Sequence, residues 1–113
     1  MNWIKLENSD NLEELKKLSE TKNCLIYKHS TRCATSFMTL NRLERSWDSS
    51  EMSNVQPYFL DLIANRELSN QVSSEFEIAH ESPQVILIKN RGAFLDLSHF
   101  GIDYSTLKQA VEN

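Results

Sequence analysis

The order of elements along this chain, α-β-α-β-α-β-β-α, predicts an α/β fold with a central mixed four-stranded sheet flanked by helices. Two observations carry that reading. Short apolar runs alternate with helix-period segments, and parallel pairing of such strands requires crossover connections of a dozen residues or more. The turn signal Asn90-Arg91-Gly92 then follows the strongest strand directly and adds an antiparallel edge. With 113 residues, two glycines and two prolines, the chain leaves little material for linkers, so residues 1–113 are expected to form a single domain.

The elements follow in order. Leu12, Leu15 and Leu18 recur every three residues behind Asp10 or Asn11 as cap, which predicts a helix over 10–20. Cys24-Leu25-Ile26-Tyr27 is too short for a helix and reads as a buried strand. Helix period returns with Phe37, Leu40, Leu43 and Trp47 as the apolar face and Met38 beside it, until Asp48-Ser49-Ser50-Glu51 ends the segment. Val55 through Ile63 holds the next strand. Arg66 to Phe76 is helical, with Leu68, Val72 and Phe76 on one face. Ser82-Pro83 breaks the chain before the strand Gln84–Lys89. Ala93 to Leu97 returns antiparallel, and Asp103 or Ser105 caps a last helix through Val111.

Composition excludes several classes. Hydrophobic residues make up 40% and charged residues 25%, ordinary globular usage that supports a core without metal or disulfide staples. A net charge of -4 gives no basic face for nucleic acid. No apolar run approaches the roughly 20 residues that span a bilayer. The first residues lack the cationic start and apolar stretch of a signal peptide. A cytoplasmic protein is therefore expected, with no nucleic-acid or membrane partner, and two cysteines suit a reducing compartment. Cys24, Cys33 and the three histidines have no zinc spacing, so no metal is expected.

Cys33 is the candidate for chemistry. It stands between the apolar strand and the helix-period segment, in Lys28-His29-Ser30-Thr31-Arg32-Cys33-Ala34-Thr35-Ser36. Helix amides direct partial positive charge at such a sulfur, and the thiolate is the form that attacks disulfides. The alternative is an inert buried thiol, the reading preferred for Cys24 within its apolar run. An extended strand rises about 3.3 Å per residue, which carries Cys24 out of disulfide reach of Cys33. Ser36 occupies the position where a two-thiol redox protein has its second cysteine. Thr35 and Ser36 either donate hydrogen bonds to the thiolate or serve ordinary helix-start bonding. Lys28, His29 and Arg32 either supply positive potential for an anionic substrate or form a solvated loop, with His29 also a candidate for orienting that loop. Asn65 and Arg66 begin a helix and either bind a carboxylate or act as cap and surface charge.

The element order, the cysteine after the first main strand and the proline before the third describe a thioredoxin-like fold. The chain resembles the YtxJ-type family of monothiol bacilliredoxin-like proteins, tied to bacillithiol in bacteria. Lys28 through Cys33, Asn65-Arg66 with Ser69-Asn70, and His80-Glu81-Ser82-Pro83-Gln84-Val85-Ile86-Leu87-Ile88 carry the resemblance, which runs from about Asn23 to about His99. It implies a thiol–disulfide oxidoreductase that removes a low-molecular-weight thiol, bacillithiol by family, from protein mixed disulfides through Cys33. Bacillithiol would be co-substrate, and bacillithiolated proteins the partners; no cofactor is implied. The resemblance also implies a cis peptide before Pro83, offering the Ser82 backbone to an extended substrate, where the residues alone also allow a plain strand-start proline. Ala34 departs from the family, which usually has proline there. A rival class is a monothiol glutaredoxin-like iron–sulfur cluster carrier. Against it, Ala34-Thr35 replace the glycine–aromatic pair such proteins have after the cysteine.

Overall fold

The computed structural model describes residues 1–112. Its elements are β1 (Ile4–Lys5), α1 (Ser9–Leu18), β2 (Asn23–His29), α2 (Ala34–Ser46), β3 (Val55–Asp61), α3 (Arg66–Phe76), β4 (Gln84–Lys89), β5 (Gly92–Ser98) and α4 (Tyr104–Val111), with a single 3-10 turn at His99–Gly101. The sheet has five strands in the order β1-β3-β2-β4-β5. β1, β3 and β2 run parallel; β4 and β5 run antiparallel to their neighbours.

The fifth strand corrects the four-stranded expectation. β1 is two exposed residues, Ile4 and Lys5, paired to Tyr58 and Phe59. Two residues cannot establish a period, so nothing in the sequence marks them. The short edge also accommodates Pro57. Its missing N–H falls in β3 just before the stretch that β1 covers.

The central strands are apolar because both faces of the sheet are covered. Val85, Ile86, Leu87 and Ile88 are all fully buried, each contributing about 1.5–3 kcal/mol relative to exposure. One face packs Cys24, Ile26, Tyr58, Leu60, Ile86 and Ile88 against α1 and α3; the other packs Leu25, Tyr27, Val85 and Leu87 against α2 and α4. The β4–β5 turn is built from Asn90 and Arg91, both at positive φ (51° and 66°), as a type I′ turn requires. Gly92 is the first residue of β5, outside the left-handed pair. The turn docks on the end of α1. The Asn90 and Arg91 N–H groups donate to Ser19 O and Oγ at 2.7 and 2.9 Å, and the Arg91 guanidinium bridges Glu13 and Glu20.

Register determines which residues share an end of the sheet. His29 pairs with Asp61 on β3, and Lys28 pairs with Gln84 on β4. Hence the Ser30–Cys33 segment after β2, the Leu62–Arg66 segment after β3 and Ser82-Pro83 before β4 all gather at the carboxyl end of the parallel strands. That is where open α/β sheets place their ligand sites.

Candidate active site

Cys33 is the N-cap of α2, half-buried, with extended backbone (φ -124°, ψ 115°) and no side-chain capping bond. Its turn is closed on both sides. The Cys33 N–H donates to Ser30 O at 3.2 Å, and Cys33 O accepts from the Ser36 and Phe37 N–H groups at 3.1 and 3.4 Å. Ser30 Oγ also accepts from the Arg32 N–H at 3.2 Å. The sulfur is thus carried on a short, internally bonded turn at the positive end of a 13-residue helix.

Beneath that turn lies a buried hydroxyl network. Ser36, fully buried, has its Oγ 2.7 Å from His29 Nδ1 and accepts from the Ser30 N–H at 3.1 Å. The Tyr27 hydroxyl donates to Ser36 O at 2.8 Å and lies 2.6 Å from Thr39 Oγ1, which bonds Thr35 O at 3.0 Å. The inward stripe of α2 is therefore Ser36, Thr39 and Leu43. The expected apolar face was shifted: Phe37 and Met38 stand 47% and 60% exposed. Two hydroxyls face the sheet because Tyr27 and His29 offer them buried partners, which a periodicity of apolar residues does not register. Ser30, Tyr27 and Thr39 were missed for that reason.

Lys28 and His29 also depart from the loop expected for them. Both belong to β2 and both are buried, on opposite faces. The Lys28 side chain runs under α3, where Nζ donates to His80 Nδ1 at 3.0 Å and Ser73 Oγ at 3.3 Å. Burial, with the nearby Arg66 cation, pushes its pKa down to about 8. Fully buried, Lys28 is not part of an exposed cationic loop beside Cys33; it extends the strand because α3 and His80 supply polar partners. Burial, then Lys28 and Arg66, hold His80 below its ordinary value as well. Arg32 remains exposed next to the thiol, and Thr35 is half-buried on the first turn of α2.

Asn65 is the N-cap of α3 without a side-chain cap bond; its amide donates instead to Asp61 O at 3.2 Å. Asn65 and the exposed Arg66 line a groove of about 530 Å³ with Glu7, Asn8 and Glu67, and Cys33 is not among its lining residues. The Ser82–Pro83 peptide is cis. Pro83 O accepts from the His99 N–H at 3.0 Å, and His99 Nε2 lies 3.4 Å from Glu81 Oε1, so the 3-10 turn holds this segment from the far side. Ser82 Oγ is buried without a partner. Among the described residues no cluster of histidine, cysteine and carboxylates could hold a metal, and no helix is long and apolar enough to cross a membrane.

Cys24 is fully buried at the opposite end of β2, with Sγ 3.7 Å from Leu15 O. Burial raises its pKa to about 11. Both cysteines are free thiols.

A part-exposed thiol at a helix N-terminus, at the carboxyl end of the parallel strands of a mixed sheet, fits a thiol oxidoreductase of the thioredoxin fold. Comparison with known proteins agrees. Residues 4–107 match the family described as Monothiol bacilliredoxin BrxC, and the chain belongs to that family. Among solved structures, it is similar to a provisionally assigned oxidoreductase with a thioredoxin fold, at 28% identity and TM-score 0.80, over 96% of this chain and 93% of that one. Malassezia sympodialis thioredoxin (19% identity, TM-score 0.73, 94% and 84% covered) and Fasciola hepatica thioredoxin (16%, 0.70, 95% and 94%) share the fold.

Proposed function

We propose that this protein removes a low-molecular-weight thiol, bacillithiol by family, from mixed disulfides on cytoplasmic proteins, with Cys33 as the single exchange centre. The observation that carries the reading is the isolation of Cys33. It is part-exposed at the start of α2, the two-thiol position holds the buried Ser36, and the other cysteine is fully buried at the far end of β2.

The Cys33 thiolate attacks the small-thiol sulfur of the mixed disulfide. A Cys33–small-thiol disulfide forms, the protein–small-thiol bond breaks, and the protein thiolate leaves and takes a proton from solvent. A second small-thiol thiolate then attacks the small-thiol sulfur on Cys33. The small-thiol disulfide is released, and Cys33 returns as thiolate. Electrons balance: the protein substrate is reduced as two small thiols are joined. Arg32 and the amides at the start of α2 favour an anionic leaving group and an anionic small thiol. The Ser82-Pro83 segment offers its backbone to the substrate chain in strand fashion. Thr35, on the first turn of α2, is available to donate a hydrogen bond to the thiolate. Asn65 and Arg66, set in their own groove, meet a carboxylate at the margin of the site.

The test is turnover on a bacillithiolated model protein with free bacillithiol. Cys33→Ser should fall to the uncatalysed rate while Cys24→Ala retains activity. Equal losses in the two variants would overturn the assignment.

A further inference from the structure

Among the described residues, Phe100 and Met38 are the most exposed large apolar side chains, at 62% and 60%. They are far apart in sequence, yet both line one groove of about 320 Å³ between α2 and the 3-10 turn, with Thr39, Asn41, Arg42 and Arg45. Neither belongs to the two clusters of the core. Paired apolar side chains left open beside polar ones mark an interaction surface. The turn is also fastened to α2. Arg42 Nη2 donates to Phe100 O at 3.3 Å and to Ile102 O, so the two walls of the groove are held together before anything enters it.

The charge of the groove is opposite to that of the chain. The net charge is -4, yet the ionisable residues lining the groove are Arg42 and Arg45, both exposed. Among the described residues neither pairs with a carboxylate; the ion pairs use Lys16, Arg91, His99 and Lys108. Glu44, between them in sequence, accepts instead from Trp3 Nε1 at 3.0 Å.

Position ties the groove to the exchange centre. One wall is α2, whose N-cap is Cys33; the other is the turn whose His99 N–H donates to Pro83 O. At about 1.5 Å of rise per residue, Met38 lies about 8 Å and Arg45 about 18 Å along the helix from Cys33. An extended segment, rising about 3.3 Å per residue, covers those distances in about three and about six residues.

We propose that this groove docks the protein substrate, through a segment with an apolar side chain about three residues from the mixed-disulfide cysteine and acidic side chains about six residues from it. The inference rests on Cys33 being the exchange centre and names the class of protein it serves. The apolar side chain settles between Met38 and Phe100 and takes their open surface out of water. The carboxylates meet Arg42 and Arg45, where no internal ion pair has to be broken first. Because the chain as a whole repels an acidic partner, the two arginines also fix where such a segment lands.

The experiment reads binding without exchange. Fluorescein-labelled peptides carry serine in place of the cysteine, leucine three residues away, and either two glutamates or two lysines at the fifth and sixth residues, in both chain directions. Polarisation is measured against the intact protein. In one direction the glutamate peptide should bind at least about fivefold more tightly than the lysine peptide at low salt, and the preference should shrink at about 0.5 M salt. Replacing the leucine by serine should weaken binding, and Arg45→Glu should abolish or reverse the charge preference. Charge-blind binding in both directions would overturn the inference, as would a preference that survives Arg45→Glu. So would a dimer in sedimentation that Met38→Ser dissolves, because a second copy would then fill the groove. The peptide comparison uses the unmodified chain, so it decides whatever the fold of the variants. Charge-blind binding beside Cys33-dependent turnover removes the inference and leaves the exchange function standing; charge-selective binding beside a Cys33→Ser variant as active as the parent does the reverse.

Discussion

The two cysteines stand at opposite ends of one strand and have opposite fates. Cys24 lies where β2 passes beneath α1. Its neighbours are Leu12, Leu15, Tyr58 and Ile88, and burial drives its pKa up to about 11. Cys33 lies four residues beyond the other end of β2, on a turn made of serines and backbone amides. A thiol among apolar side chains behaves as a small hydrophobe; a part-exposed one at a helix start is available to a disulfide. Which end of the strand carries the sulfur decides whether it is sealed in the core or open to solvent.

The largest expected effect separates the thiols directly. Under native conditions N-ethylmaleimide should label Cys33 at least about 10³-fold faster than Cys24, because Cys24 becomes accessible only through opening of the core. Peptide mass spectrometry over time reads both rates. Comparable rates would erase the contrast.

The two faces beside the reactive end sharpen it next. Lys28 has a folded pKa of about 8 against an ordinary 10.5. Between those values the unfolded chain binds more protons than the folded one, so stability gains up to about 1.4 kcal/mol per pH unit as pH rises. Below pH 8 the buried charge opposes folding in full; above 10.5 the contribution is constant. Lys28→Met should remove this rise, so that in urea titrations the parent gains on the variant as pH goes from 8 to 10.5. A constant difference would mean that Lys28 keeps its ordinary pKa. On the other face, Tyr27→Phe deletes the hydroxyl that reaches Ser36 O and Thr39. The loss should be about 1–2 kcal/mol, measured by the same titrations, with no change in Cys24 burial. Arg91→Ala, which removes the exposed pairs to Glu13 and Glu20, should give the smallest loss of the series, because solvent screens such pairs.

The same contrast explains what could be read from the sequence. The apolar end of β2 was legible, because Cys24-Leu25-Ile26-Tyr27 has the composition of a buried strand. Its last two residues were not. Lys28 and His29 look like loop residues, and they continue the strand only because His80, Ser73 and Ser36 satisfy them across the chain. Phe37 misled in the opposite sense: it fits the helix period yet faces outward, with Ser36 and Thr39 turned in. Pattern reading prices side chains one at a time, while a buried hydroxyl is settled by its partner. Cys33 and Ser82-Pro83 were found from motif and placement, and register then brought them to one end of the sheet.

The central claim is a single exchange centre, and one measurement tests it most directly. The reduced protein is treated with one equivalent of a bacillithiol mixed disulfide, quenched with acid and analysed intact and as peptides. The account predicts one small-thiol adduct, on Cys33, with Cys24 still a free thiol. An adduct on Cys24, or loss of two hydrogens to an internal Cys24–Cys33 disulfide, would contradict it.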